Sequence, residues 1–259
     1  MTRRKAAAIH LGLSFLIVGS IAALIYFLWF PYGLIRVAGM DQLILTMLLV
    51  DIVAGPVLTL IVFKAHDLKQ TRRDLAVIGL LQAAFMGYAL HTAWASRPVF
   101  LVWSVDQIYL MYAIDLEPED LAKGKYESTR TLSWTGPRLY AVNLPKGDAV
   151  RAKIFTDLIE QQTSLERLPQ YYDDYALQTD KLLRAAVPAQ EDSLPAWMPK
   201  KGLREAIAET GRPADSLRLV PLNSSRAASM MLVDAKTGRP VMTVTPPAAD
   251  TSTQGDEAK

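Results

Sequence analysis

Three long apolar runs within the first hundred residues constrain this chain more than any other feature. Residues 6–30 are broken only by His10, and residues 43–63 and 75–95 each supply 21 positions with almost no formal charge. About 20 residues of helix cross a hydrocarbon core, so each run is long enough to span once. A cleaved signal peptide would need a short apolar region of about 7–15 residues and a small-x-small cleavage site, and neither is evident. Arg3-Arg4 lacks the neighbours of a twin-arginine signal, so the first run reads as a retained anchor. Everything after residue 97 has the composition of a soluble domain. The fold class expected is a membrane protein: a membrane domain of residues 1–97, then a periplasmic α+β domain of residues 98–247 and a disordered tail of residues 248–259.

Orientation follows from the basic residues in the short flanks. Arg3, Arg4 and Lys5 precede the first run, Arg36 alone separates the first from the second, and Lys64, Lys69, Arg72 and Arg73 lie between the second and third. The positive-inside rule puts the N-terminus and the second loop in the cytoplasm. Three crossings then put the rest outside, in the periplasm if the chain sits in a bacterial inner membrane. Residues 96–259 carry 20 Lys and Arg against 22 Asp and Glu, so the soluble part has no basic footprint and nucleic acid is not an expected partner. The chain has no cysteine, which removes disulfides, thiolate metal sites and cysteine nucleophiles.

Asp51 is the one carboxylate inside the runs. An ionisable group at that depth costs about 2.5–3.5 kcal/mol on insertion scales, so it should face the bundle interior and find a partner. Rise counted from the outer ends puts Asp51 about 12 Å deep, Tyr88 about 10 Å and Ser20 about 15 Å, which lets the three meet at one level. Gln82 and His91 lie a turn or more away. The group reads either as a contact for a transmembrane partner, as a proton-responsive switch, or as a hydrogen-bonded structural aspartate. Gly79, Ala83 and Gly87 recur every four residues in the third run, a spacing that lets helices approach closely. Gly55-Pro56 should kink the second helix just after Asp51 and free carbonyls one turn earlier.

The soluble part alternates strand and helix signals. Residues 99–105 and 107–114 read as strands around a turn at Asp106, and residues 139–143 as a third. Asp148 reads as the N-cap of a helix with Val150, Ile154, Phe155, Leu158 and Ile159 at helical spacing. Residues 175–186 and 203–210 read as helices, the latter stopped by Gly211 and Pro213. Residues 217–222, 230–235 and 241–245 read as strands, the last two joined by a turn at Lys236-Thr237-Gly238. Tyr171, Tyr172 and Tyr175, beside Asp173 and Asp174, form the densest aromatic patch and a candidate partner surface.

Catalytic motifs are scarce. Lys236-Thr237-Gly238 matches one motif of penicillin-binding proteins, but no serine has a lysine three positions later. His10, His66 and His91 all precede residue 98, so no histidine serves a serine or a zinc ion in the soluble part. Glu117, Glu119 and Asp120 fit a solvated charge run at a helix start better than an acid–base pair. No phosphate-binding loop of the Walker type occurs. No catalytic, cofactor-binding or metal-ligating residue is therefore assigned.

Several segments resemble a known family. They are Lys5-Ala6-Ala7, Ile9-His10-Leu11, the stretch from Val50-Asp51 through Gly55-Pro56 to Leu60, Val62-Phe63-Lys64, Asp74 to Ile78, and Arg97-Pro98-Val99-Phe100-Leu101-Val102 with Val105-Asp106. Gly136-Pro137-Arg138-Leu139, Pro169-Gln170-Tyr171-Tyr172 and Leu232 to Gly238 add shorter matches. Together they resemble the type IV pilin accessory proteins of the TfpX/TfpZ kind, with FimB among their relatives. The resemblance implies an inner-membrane, non-enzymatic accessory factor or chaperone that assists assembly or surface display of a cognate major pilin. The partners it implies are the pilin's transmembrane helix and globular head, membrane lipid, and other pilus assembly proteins. The rivals are a membrane-anchored periplasmic enzyme with an unrecognised carboxylate site, and an envelope scaffold or sensor.

Overall fold

The computed structural model describes residues 2–64 and 67–245 of the 259-residue chain. His66 and the expected tail, residues 248–259, lie outside the described residues. Two compact units result, one holding the chain up to Pro31 and Ala38–Arg97, the other holding Tyr32–Val37 and the chain from Pro98 onward. The short segment between the first two spans thus joins the second unit, whereas the sequence assigned it to the membrane domain.

The first unit has three helices long and apolar enough to cross a membrane: Arg3–Trp29, Met40–Val62 and Lys69–Ala95. Each begins a few residues before its apolar run, because polar residues continue a helix into the interface at little cost. Thr2 caps the first and Asp67 the third, the latter accepting from the Gln70 backbone N–H at 2.9 Å. Large apolar side chains such as Phe15, Phe27 and Leu80 point outward, as lipid-facing positions should. The inner contact is made by Val18, Met47 and Ala89, with Ile21, Ile52 and Met86 packed around them. Trp29 and Trp94, at the last turns of the first and third spans, meet edge to face at 5.5 Å between centroids.

The second unit is built on a mixed sheet, with six strands already indicated by alternation and turn chemistry. β1 (Pro98–Ser104) and β2 (Gln107–Tyr112) form an antiparallel hairpin over Val105-Asp106. Val105 adopts φ +60°, an outlier for a β-branched residue. β3 (Arg138–Val142) runs parallel to β1, and β4 (Tyr172–Asp174) closes that edge antiparallel to β3. β6 (Leu217–Ser224) runs parallel to β2, and β7 (Ser229–Asp234) and β8 (Pro240–Val244) continue antiparallel. The two-residue β5 (Val187–Pro188) pairs with β6, and the sheet order is β4-β3-β1-β2-β6-β7-β8.

Among the described residues, apolar clusters cover the sheet. One gathers Val99, Phe100 and Val102 of β1 with Tyr140 and Tyr172, and another packs Leu203 and Ala206 of the helix Lys200–Thr210 on Leu219, Leu232 and Val244. That helix stops at Gly211 in the left-handed region, as its sequence indicates. The helix Asp148–Glu160 departs from expectation: Gly147 is its N-cap, and only Ile154 and Leu158 are buried. Val150, Phe155 and Ile159 stay exposed, Ile159 by 78%. Segment Tyr32–Val37 reaches β8 through Gly33, whose φ is +73° and where an added Cβ would stand 2.8 Å from Thr243 Oγ1. Glycine is needed there on both counts.

Candidate intramembrane site

The second span owes the geometry around Asp51 to Pro56. A proline has no N–H to donate, so one carbonyl of the preceding turn must lose its partner. The helix answers with a π-helical turn over Leu49–Ala54, in which the Gly55 N–H donates to the Val50 carbonyl. In that register the donor due to the Asp51 carbonyl would be Pro56, and the orphan falls on Asp51. Gln82 of the third span supplies the missing donor: its Nε2 donates to the Asp51 carbonyl at 3.4 Å.

The contact extends to all three spans. Gln82 Oε1 lies 3.1 Å from His10 Nε2, and His10 Nδ1 lies 2.6 Å from Thr59 Oγ1. With the amide nitrogen turned to Asp51, Oε1 can only accept, so His10 carries a proton on Nε2 and pairs with the Thr59 hydroxyl through Nδ1. Gly55 makes room for this set, since a Cβ there would lie 2.3 Å from Gln82 Nε2 and 3.1 Å from His10 Nε2. The Asp51 side chain is only 3% exposed, and its Oδ2 has no hydrogen-bond partner among the described residues.

The expected trio does not assemble. Tyr88 is 69% exposed and Ser20 is exposed, so neither reaches Asp51. Rise gives depth but not azimuth. Tyr88 lies six positions beyond the inward Gln82, about 240° around the helix, and Ser20 two positions beyond the buried Val18, about 200° around. His10 and Thr59 carry little signal in the sequence, because each is a single polar residue in an apolar run. Including every such residue, rather than those level with Asp51, would have found them.

The small-residue stripe is open. Gly79, Ala83 and Gly87 are exposed, and a Cβ added at Gly79 or Gly87 would meet nothing within 4 Å among the described residues. Packing between this chain's own spans is thus not what these residues serve here; Gly55 and Pro56 act in the interior instead. Gly79 and Ala83 line a groove of about 350 Å³ together with the apolar Leu13, Ile17 and Met86 and the polar His10, Ser14, Asp51 and Gln82.

In the second unit the tyrosine patch is mostly core. Tyr172 is fully buried, stacks on Tyr140 at 5.5 Å and meets Phe100 edge-on, while its hydroxyl donates to the Glu166 carbonyl. Tyr175 is 5% exposed and donates to the Gly238 carbonyl at 2.8 Å. Only Tyr171 is half-buried, so the three do not form one exposed surface. Composition marked an aromatic cluster without saying which way the rings point.

Asp173 between them is buried and accepts from Tyr126 Oη at 2.6 Å, Lys125 Nζ at 2.9 Å, Asn143 Nδ2 at 3.1 Å and the Asp174 backbone N–H at 3.0 Å. The Tyr126 hydroxyl, then the Asn143 amide and the Lys125 ammonium, hold its carboxyl well below the usual carboxylate range. A depressed pKa adds stability that is fully present above the unfolded value, about 3.9, and is lost as pH falls toward the folded one. Asp173→Asn should cost about 2 kcal/mol at neutral pH and flatten the loss of stability on acidification from about pH 5 to pH 2. Denaturation of the full chain in detergent reads both, and an unchanged acid response would contradict the assignment.

The remaining chemistry-bearing motifs have structural places. Lys236-Thr237-Gly238 is the β7–β8 turn: Asp234 Oδ1 accepts from the backbone N–H groups of Lys236 and Thr237, and Gly238 sits at φ +64°. Glu119 and Asp120 occupy the first turn of the helix Pro118–Ala122, where Asp120 pairs with Lys123 at 2.8 Å. Among the described residues no group of three or more His, Cys, Asp or Glu is placed to hold a metal ion.

The fold and the site define a class: three membrane-spanning helices that carry a mixed α+β domain and share a polar contact in the bundle. Comparison with known proteins narrows it. The family profile described as fimbrial assembly protein FimB matches residues 1–39. The chain is 26% identical over 231 residues to the fimbrial assembly protein of serogroup E1 of Dichelobacter nodosus, covering 88% of this chain and 89% of that one. It is 24% identical over the same length and shares to the serogroup I protein of that organism. To the protein of serogroups C1 and C2 it is 28% identical over 118 residues, 45% of this chain and 90% of that one. The likeness found is thus to FimB-like fimbrial assembly proteins, and none of these matches carries the TfpX/TfpZ name. No solved structure matches the chain significantly.

Proposed function

We propose that this protein is a non-enzymatic accessory factor, a chaperone in the stoichiometric sense, for assembly or surface display of a type IV pilin. The observation that carries the reading is the similarity to fimbrial assembly proteins over 88% of the chain, spans and sheet domain alike. The basic flanks favour a bacterial inner membrane with the N-terminus in the cytoplasm and the sheet domain in the periplasm. There the domain meets a pilin's globular head while the bundle holds the pilin's membrane helix laterally, with lipid and other assembly proteins around both. Joining two weak contacts on one chain raises the effective concentration of the second without any new contact. Deleting the gene should reduce surface pili while pilin processing continues, scored by sheared-pilus yield and by the size of cellular pilin. Unprocessed pilin accumulating in the deletion strain would count against an assembly role.

A further inference from the structure

We infer that the groove beside Asp51 seats one membrane helix of another protein, and that this helix brings a hydrogen-bonding group to the free carboxylate oxygen. The inference deepens the proposed function and rests on it only for the identity of the partner. Three features of the groove point to this occupant.

Its walls, Leu13, Ile17 and Met86, are apolar and belong to spans that lie in hydrocarbon, so the occupant must be apolar along its length. Its floor is Gly79 and Ala83, with open space where a Cβ at Gly79 would stand. Small residues four apart admit a helix backbone to close range, and Gly87 continues the track for about 12 Å, two helical turns. A bundle packed only on itself would have filled that face.

Asp51 leaves the groove with an unmet requirement. Its Oδ2 is buried and has no hydrogen-bond partner among the described residues, although His10, Ser14 and Gln82 line the same groove. Both nitrogens of His10 are engaged, by Thr59 and Gln82, and the Gln82 amide serves His10, the Asp51 carbonyl and the Asp51 side chain, which leaves Oδ2 as the unmatched oxygen. A carboxyl oxygen left unmatched in hydrocarbon is costly, and a lipid tail cannot relieve it. An apolar helix with one hydroxyl, amide or ammonium at that level satisfies both walls and carboxyl. Its selectivity would lie in that one group, since the rest of the contact is shape.

The test uses the full-length protein in membranes of cells that make pili. A benzophenone amino acid replaces Leu13 on the groove wall or, as control, Leu80, which is 71% exposed. The Leu13 position should give an adduct with a membrane helix of another protein, and the Leu80 position should not. Asp51→Leu should reduce that adduct about threefold to tenfold, as loss of one intramembrane hydrogen bond would, and Asp51→Asn should retain it. Ala83→Phe, at an exposed position that leaves the bundle interior alone, should block it even if Asp51→Leu proves unstable. An adduct with the pilin's apolar helix supports both the inference and the proposed function. An adduct with the membrane helix of a different protein, equally sensitive to Asp51→Leu and Ala83→Phe, supports the groove and contradicts the pilin reading. Adducts only with lipid or with a second copy of this chain, or an adduct indifferent to both substitutions, overturn the inference.

Discussion

Phe100→Ala is expected to remove about 3–5 kcal/mol from the sheet domain, the range for truncating a buried aromatic residue. Phe100 is fully buried in β1, which is paired on both edges, with β2 and β3. Its ring meets Tyr140 at 5.6 Å and Tyr172 at 5.5 Å, both edge-on, so its loss leaves two rings without the neighbour that orients them. The sheet cannot collapse into the hole, because strand pairing fixes the backbone on each side. Against a usual domain stability of about 5–15 kcal/mol, that loss brings the domain near unfolding. Chemical denaturation of the full chain in detergent, followed by near-ultraviolet circular dichroism, should show the transition at far lower denaturant. Leu177→Ala, at a position 67% exposed, should stay within about 0.5 kcal/mol of the unaltered protein. Equal effects of the two would mean that Phe100 is not where the core sits.

The second large effect belongs to the spans. Gly55→Val should break the contact that joins the three helices, because its Cβ would occupy the space of Gln82 Nε2 and press on His10. Moving Gln82 away strands the His10 Nε2 proton and the Asp51 carbonyl together, at about 1–3 kcal/mol for each buried group left unpaired. The unfolding midpoint of the spans in graded denaturing detergent, or their resistance to protease, reads the loss. Gly79→Ala is the contrast, since its Cβ enters open space and a helix-interior glycine is replaced by a better helix former. It should leave the spans at least as stable. If Gly55→Val proved as harmless as Gly79→Ala, the polar contact would not hold the bundle.

These contrasts show what the sequence makes legible. The spans are written as long, nearly uncharged apolar runs, and the hairpins β1–β2 and β7–β8 as alternation around Asp106 and around Lys236-Thr237-Gly238, so local signals suffice for them. The parallel pairings of β1 with β3 and of β2 with β6 join segments far apart in the chain, and no local pattern encodes them. β4 is three residues, Tyr172-Asp173-Asp174, too short for alternation to register. At the candidate site, Asp51 announced itself by its cost in hydrocarbon, and Pro56 by its missing N–H. Which residues answer them depends on azimuth. Gln82 and His10 face inward while Tyr88 and Ser20 face out, a difference that depth along an ideal helix cannot carry. Likewise, the buried Tyr172 and Tyr175 look from composition like an adhesive surface and are in fact part of the core.

Titration of the protein against pilin tests the central claim most directly. A factor that works by contact is consumed in proportion to what it holds, whereas an enzyme turns over. With expression placed under an inducible promoter in a deletion strain, surface pili should rise roughly in proportion to the ratio of this protein to pilin. A mismatched pilin should be rescued poorly at every level. Full piliation from a trace amount for every pilin tested, abolished by replacing a single carboxylate such as Glu117 or Asp120 in a stable protein, would contradict the account and establish catalysis instead.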